Sequence, residues 1–385
     1  WAFMENAGGS YACQQTIDRL HNFYVKTKVQ PYAPYPAAEA GGQQMDRAHI
    51  RLAALMNVDE DELHFGPSTT QNTYVLANAF RAVWSEGDEI VVTDQDHEAN
   101  SGVWRRLESS GIVVKEWAVD PVTGMLDLAD LEPLLSERTR LVAFPHCSNI
   151  VAHINPVAEV CAMARAAGAV TVVDGVSAAP HGLPDIDALG ADIYLFSSYK
   201  TYGPHQGVMV VRRGVAQMLP NQSHWFNDDE PHKRLVPAGP DHAQVAACNG
   251  IADYIDELHQ HHFDDEVDAA ERGRRVHELM RSHEIQLAGP LLAYLSERDD
   301  VRIMGPVDPT VRVPTVAFVP GRSPTEVASE LANHRVMAGS GDFYARRLVE
   351  AMGQPSNPGV VRLSFVHYTS PAEITQTIEA LQAVL

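Results

Sequence analysis

Between about residue 60 and residue 215, short apolar runs alternate with helix-compatible stretches, and this alternation restricts the chain to few folds. The runs are Glu89–Thr93, Val113–Ala118, Leu141–Phe144, Ala169–Asp174, Ile193–Ser197 and Gly207–Val211. Their apolar residues are nearly continuous rather than alternating with polar ones, as in strands of a parallel sheet buried on both faces. Helical stretches such as Thr70–Trp84, Asp127–Leu135 and Pro156–Ala167 lie between them. Gly87-Asp88 and Gly111 supply turn residues at the entry to two strands. The pattern predicts a doubly wound α/β unit with a mostly parallel sheet.

After about residue 245 the character changes. A polar, helix-compatible stretch runs from Gln244 to Ser282, followed by strands at Val301–Met304, Thr315–Val319 and Val361–Phe365. Ser323-Pro324-Thr325-Glu326 and Ser370-Pro371-Ala372-Glu373 carry capping-box spacing, each with proline at the first helical position. This half reads as a smaller α+β domain, and 385 residues are enough for two cores.

The charge balance is 29 Lys+Arg against 50 Asp+Glu, a formal net of −21. Such a surface repels phosphate backbones and anionic lipid, which argues against nucleic acid and membrane as partners. No apolar run approaches the about 18 residues of a membrane span. Cys13, Cys147, Cys161 and Cys248 are scattered without a C-x-x-C, so a reducing, cytoplasmic compartment is expected.

Two of the predicted strands end on chemistry. Asp174 closes A-V-T-V-V-D, and Lys200 follows Ser197, Ser198 and Tyr199 directly after D-I-Y-L-F-S. Ligands of open α/β sheets bind beyond the carboxyl ends of the strands. A lysine and a carboxylate delivered there suit pyridoxal 5'-phosphate (PLP), the lysine as Schiff-base partner and the acid beside the pyridinium nitrogen. On these two residues alone, an ordinary Asp–Lys ion pair is an equal alternative.

Further segments point the same way. Ser68-Thr69-Thr70-Gln71 precedes a helical run, so free N–H groups and hydroxyls gather where a phosphate would be held; the alternative is a plain helix cap. His97, in D-H-E-A-N, is placed to stack on a planar ring or to lie in a surface loop. Asn149 follows the strand Leu141–Phe144 and suits a phenolic oxygen. Ser177 and His181 trail Asp174, while Ser197 and Tyr199 flank Lys200 with hydroxyls. Arg362 enters an apolar strand, where its guanidinium needs an anion: a substrate carboxylate or a structural acid such as Asp342.

The segments D-H-E-A-N, S-N-I, V-D-G-V-S-A-A-P-H and S-S-Y-K-T-Y-G-P-H-Q-G resemble the class V aminotransferase family, in its cysteine desulfurase/selenocysteine lyase-like branch. E-N-A-G-G-S near the start and G-D-F-Y-A and V-H-Y-T-S near the end fit the same branch. The resemblance implies the aspartate-aminotransferase fold (PLP fold type I). It implies a large PLP-binding domain over 13–260 and a small domain from 1–12 and 261–385. It makes Lys200 the Schiff-base lysine, Asp174 the pyridinium partner and His97 the stacking ring. Thr69, Thr70, Ser197, Ser177, Tyr199 and Asn149 become cofactor contacts, and Arg362 grips the carboxylate of a small amino-acid substrate. A homodimer with shared active sites is implied as well.

Three departures modify that picture. The family's desulfurases carry an acceptor cysteine on a mobile loop, yet Val336–Tyr344 contains none. A glutamine expected three residues after the pyridinium Asp is Ser177, and the histidine usual before the lysine is Tyr199. Aminotransferase-type chemistry is therefore expected, with a C–S or other β-eliminating lyase, or an epimerase, as alternatives. A PLP-fold protein without catalysis is the remaining alternative, against which the Lys200, Asp174 and Arg362 set speaks. The cluster His259, His261, His262, Asp264 and Asp265 reads as a solvated helix or loop rather than a metal site, since no second segment completes a ligand set.

Overall fold

The computed structural model describes all 385 residues. Its largest sheet has seven strands in the order Leu63–Gly66, Gly207–Val211, Ile193–Ser197, Val170–Asp174, Thr139–Pro145, Glu89–Thr93, Val113–Trp117. Five of them, from Ile193–Ser197 to Val113–Trp117, are parallel to one another. Gly207–Val211 is antiparallel on both sides and carries Leu63–Gly66, an edge strand that the sequence pattern does not reveal. Its four residues, L-H-F-G, are too short to show a period.

Residues alternate between two apolar cores along each strand. Val91, Val142, Val173, Phe196 and Val210 face one core, while Ile90, Leu141, Val172, Leu195 and Met209 face the other. Both faces are thus buried, which explains the continuous apolar runs. The chain passes from Glu89–Thr93 outward to Val113–Trp117 and then back to Thr139–Pro145 on its other side. The order reverses between Glu89–Thr93 and Thr139–Pro145, so the crevice opens beyond those two strand ends.

The C-terminal half contributes a four-stranded antiparallel sheet, ordered Gly339–Gly341, Val360–Ser364, Thr315–Pro320, Val301–Ile303. The first residues of the chain pack beside it in a separate two-stranded sheet. Ala2–Phe3 pairs with Val336–Met337, Glu5 bridges to Ser364, and Ala2 and Met4 pack in the same core as Phe318, Leu363 and Phe365.

The helix-compatible stretch from Gln244 to Ser282 falls in two helices, His242–His262 and Ala269–Ser296. Phe263 turns back to stack on His259, and Asp268 restarts helix by accepting the Glu271 N–H. Helix then continues through Pro290. Asp127–Leu135 shortens to the helix Leu128–Leu131 and a 3₁₀ turn holding Pro133. Of the two capping boxes only the later forms: Ser370 accepts from the Glu373 N–H and Glu373 accepts from the Ser370 N–H. The Ser323 side chain makes no cap, although Pro324–Asn333 begins there. Among the histidine-rich residues, His259 is buried, His261 and His262 are exposed and Asp265 pairs with Arg275. No helix is long and apolar enough to cross a membrane.

Candidate active site

A cavity of about 250 Å³ opens at the carboxyl ends of the parallel strands. Thr69, Thr70, His97, Asn149, Asp174, Ser177, Ser197, Tyr199 and Lys200 all line it. Arg362 stands beside it, its Nη1 3.4 Å from the Asn149 carbonyl oxygen. His181 does not take part, because its Nδ1 lies 2.9 Å from Glu284 of the long helix.

One end is built for an anion. Ser68 caps the helix Thr69–Arg81 by accepting the Gln71 N–H, which leaves the other first-turn N–H groups free. The Thr69 and Ser197 hydroxyls lie 2.8 Å apart. Gly207 makes this approach possible, because a Cβ there would stand 2.3 Å from the Ser68 carbonyl carbon. Tyr199 stacks on His205 with ring centres 4.8 Å apart and planes 4° from parallel, so His205 shares this wall.

Asp174 is buried, and one carboxylate oxygen accepts the Val176 N–H at 2.8 Å. Burial raises its proton affinity, opposed by that N–H and by the Lys200 charge. Asp96 lines the same cavity, accepting from Asn100 through one oxygen and leaving the other, Oδ1, without a partner. Burial and the Asp174 charge push Asp96 well above the usual carboxylate range. Asp96 was not singled out from the sequence, although it precedes His97 in D-H-E-A-N.

Lys200 ends a 3₁₀ turn and is 8 % exposed. Burial, reinforced by Arg362, lowers its ammonium to about 8, with Asp174 opposing. His97 is lowered to about 4, first by burial and then by Lys200 and Arg362. Its Nδ1 accepts the Ala99 N–H, so the neutral ring carries its proton on Nε2. The His97 ring faces Tyr344 with centres 5.4 Å apart.

Asn149 donates to the Phe343 carbonyl oxygen at 2.9 Å, which occupies one N–H of its amide, and its buried Oδ1 has no partner. The acid near Arg362 is Glu5, at 3.4 Å, rather than Asp342. That pairing spans nearly the whole chain and has no local signature. None of the four cysteines lies on Val336–Tyr344: Cys147, Cys161 and Cys248 are buried and Cys13 is partly so. Cys147 does line the cavity, but burial drives its thiol far above the range of a reactive thiolate.

A buried lysine of depressed basicity, a buried acid at a strand end and an anion-ready helix end fit PLP, as does the remaining N–H of the Asn149 amide. With the seven-stranded sheet they define a PLP-dependent enzyme of fold type I. The chain belongs to the class V aminotransferase family, whose profile, described as Aminotransferase class-V, matches residues 2–225, in its cysteine desulfurase-like branch. It is 34% identical to the aminotransferase-like protein FGM3 of Gibberella zeae, across 100% of this chain and 94% of that one. It is 30% identical to the cysteine desulfurase-like protein ustD of Aspergillus flavus, across 100% of this chain and 87% of that one. Its fold matches the apo cysteine desulfurase of Thermococcus onnurineus at a TM-score of 0.88, with 22% identity, covering 99% of this chain and 94% of that one.

Proposed function

We propose that the protein processes a small amino acid by aminotransferase-type chemistry. Thr69, Thr70, Ser197 and Tyr199 would hold the PLP phosphate, His97 would cover its ring, and Asn149 and Ser177 would contact its polar edge. Asp174 would face the ring nitrogen and Lys200 would carry the covalent link. Bound PLP supplies an electron sink that acidifies the Cα–H of an attached amino acid. Lys200 Nζ, lowered to about 8, is basic enough to take that proton and acidic enough to return it near neutral pH. Arg362 orients the substrate through its carboxylate: its Nε is buried without a partner, so it retains donors for an anion.

The observation that carries the choice of reaction is the absence of a reactive thiol on the loop Val336–Tyr344 or in the cavity. A persulfide-forming desulfurase needs a thiolate that reaches the substrate, and Val336–Tyr344 offers none while Cys147 is buried and protonated. Direct β-elimination needs only Lys200 and the electron sink, which keeps a lyase as the second reading. Holoenzyme incubated with each of twenty amino acids and an α-keto acid as amino acceptor, with the newly formed keto acid, the newly formed amino acid, ammonia and sulfide followed separately, tests both. Keto acid matched by amino transfer supports the proposal. Brisk sulfide from L-cysteine that survives Cys147→Ala replaces it with the lyase, and sulfide abolished by Cys147→Ala replaces it with a relocated persulfide acceptor.

The same proposal includes a homodimer with shared active sites and, from four free cysteines, a cytoplasmic location.

A further inference from the structure

The guanidinium of Arg362 is 4 % exposed, yet its polar contacts are few and long. Nη2 lies 3.4 Å from Glu5 Oε1, Nη1 lies 3.4 Å from the Asn149 carbonyl oxygen, and Nε has no partner. The Phe343 ring covers it at 3.8 Å. Charge-assisted bonds of good geometry are nearer 2.7–2.9 Å, so this buried cation is held but not satisfied. Glu5, by contrast, is one-third exposed. Its backbone is fixed by the bridge to Ser364, which leaves the carboxylate on a short tether.

Gly339 is registered opposite Arg362 on the neighbouring strand. A Cβ at that position would stand 3.0 Å from both Glu5 Oε1 and the Phe343 ring. The missing side chain therefore lets acid and aromatic ring reach the guanidinium together. Glu5 also lies near enough to Lys200 to favour its charged form.

We propose that Glu5 is the internal occupant of the substrate-carboxylate subsite, and that an incoming α-carboxylate displaces it from Arg362. This rests on the assignment of Arg362 to the substrate. A buried guanidinium stripped of its only acid is strongly disfavoured, so Glu5 leaves when another anion arrives and not otherwise. Glu5 loses little on release, since water already reaches it. The subsite thereby discriminates against amines that lack a carboxylate, for which Arg362 stays closed on Glu5. No proton changes hands in the exchange, which swaps one carboxylate for another.

The test is calorimetric titration of the holoenzyme with propionate, a carboxylate without an amine, at fixed ionic strength. Glu5→Gln removes the competing charge and is expected to tighten propionate binding about fivefold, the scale of a single weak ion pair. Glu5→Asp keeps the charge but shortens its reach, so it too is expected to tighten binding. Glu5→Asp matching the wild type would show that only the local field matters and would overturn the displacement. Unchanged or weaker binding in Glu5→Gln would make Glu5 an orienting partner and would also overturn it. Arg362→Lys binding propionate as well as the wild type would instead remove the assignment of Arg362 beneath it. Should Glu5→Gln fail to fold, Glu5→Asp alone decides the matter.

Discussion

Lys200 and Asp174 illustrate how burial tunes single residues. A lysine lowered from 10.5 to about 8 carries a lone pair on a useful fraction of molecules near neutral pH. The deprotonated amine is the nucleophile, so capture of PLP by cofactor-free protein should accelerate as pH rises through about 8 and level off above it. Stopped-flow absorbance across pH 6–10 would check this; a rate flat through 8 would mean that the lysine is not buried as described. Lys200→Ala should abolish turnover, since positioned proton transfer alone contributes roughly 10²–10⁴-fold. Borohydride reduction of wild type followed by peptide mass spectrometry should place PLP on Lys200 and no other lysine. Asp174→Asn should keep PLP but react far more slowly, because the ring nitrogen loses a charge-assisted bond worth about 1.5–3 kcal/mol. Wild-type rates in that variant would point to Asp96, the buried acid on the same wall, as the group that matters.

At the scale of elements, the two serine–proline helix starts give a controlled comparison. Both Ser323 and Ser370 precede a proline and are followed three positions later by a glutamate, yet only Ser370 engages its helix. Ser370→Ala should cost about 1 kcal/mol of stability, whereas Ser323→Ala should cost no more than a few tenths. Chemical denaturation of the two variants measures the difference, and equal losses would refute the capping geometry. The spacing is thus necessary but not sufficient: the cap also requires a serine rotamer and backbone angle that neighbouring contacts select. The strand Leu63–Gly66 and the break at Phe263–Asp268 escaped the sequence pattern for related reasons. One is too short to show a period, and the other depends on Phe263 folding back onto His259, a contact that no residue propensity encodes.

At the scale of the molecule, we propose the division into a large unit over 13–260 and a small unit from 1–12 and 261–385. Ala2 and Met4 pack in the core of the C-terminal half and Glu5 bridges to Ser364, which supports returning the start of the chain to the small unit. Removal of residues 1–12 should therefore lower the stability of the small unit, since it takes away the Ala2–Phe3 pairing and the buried Ala2 and Met4, and chemical denaturation of the truncated protein would show the loss. Gly239 and Pro240 share the wall of a neighbouring cavity with His205, next to the anion-ready helix end. Sedimentation velocity should find twice the chain mass at micromolar concentration, and a monomer there would remove the shared-site arrangement.

What the chain determined by itself was whatever is local or periodic. Continuous apolar runs announced a parallel sheet because both of its faces are buried. Asp174, Lys200, Thr69, Thr70, His97 and Asn149 were legible because each lies within a few residues of a strand or helix end, where topology forces side chains into one crevice. Tertiary structure alone decided the partners of those groups. Arg362 could be read as needing an anion, but not that Glu5, at the other end of the chain, lies beside it, nor that Gly339 makes room for it. Asp96 gained its significance only when folding brought it onto the same buried wall as Asp174. Such pairings join residues far apart in sequence, and their strength comes from the low polarity of the place where they meet, a property that no stretch of sequence carries alone.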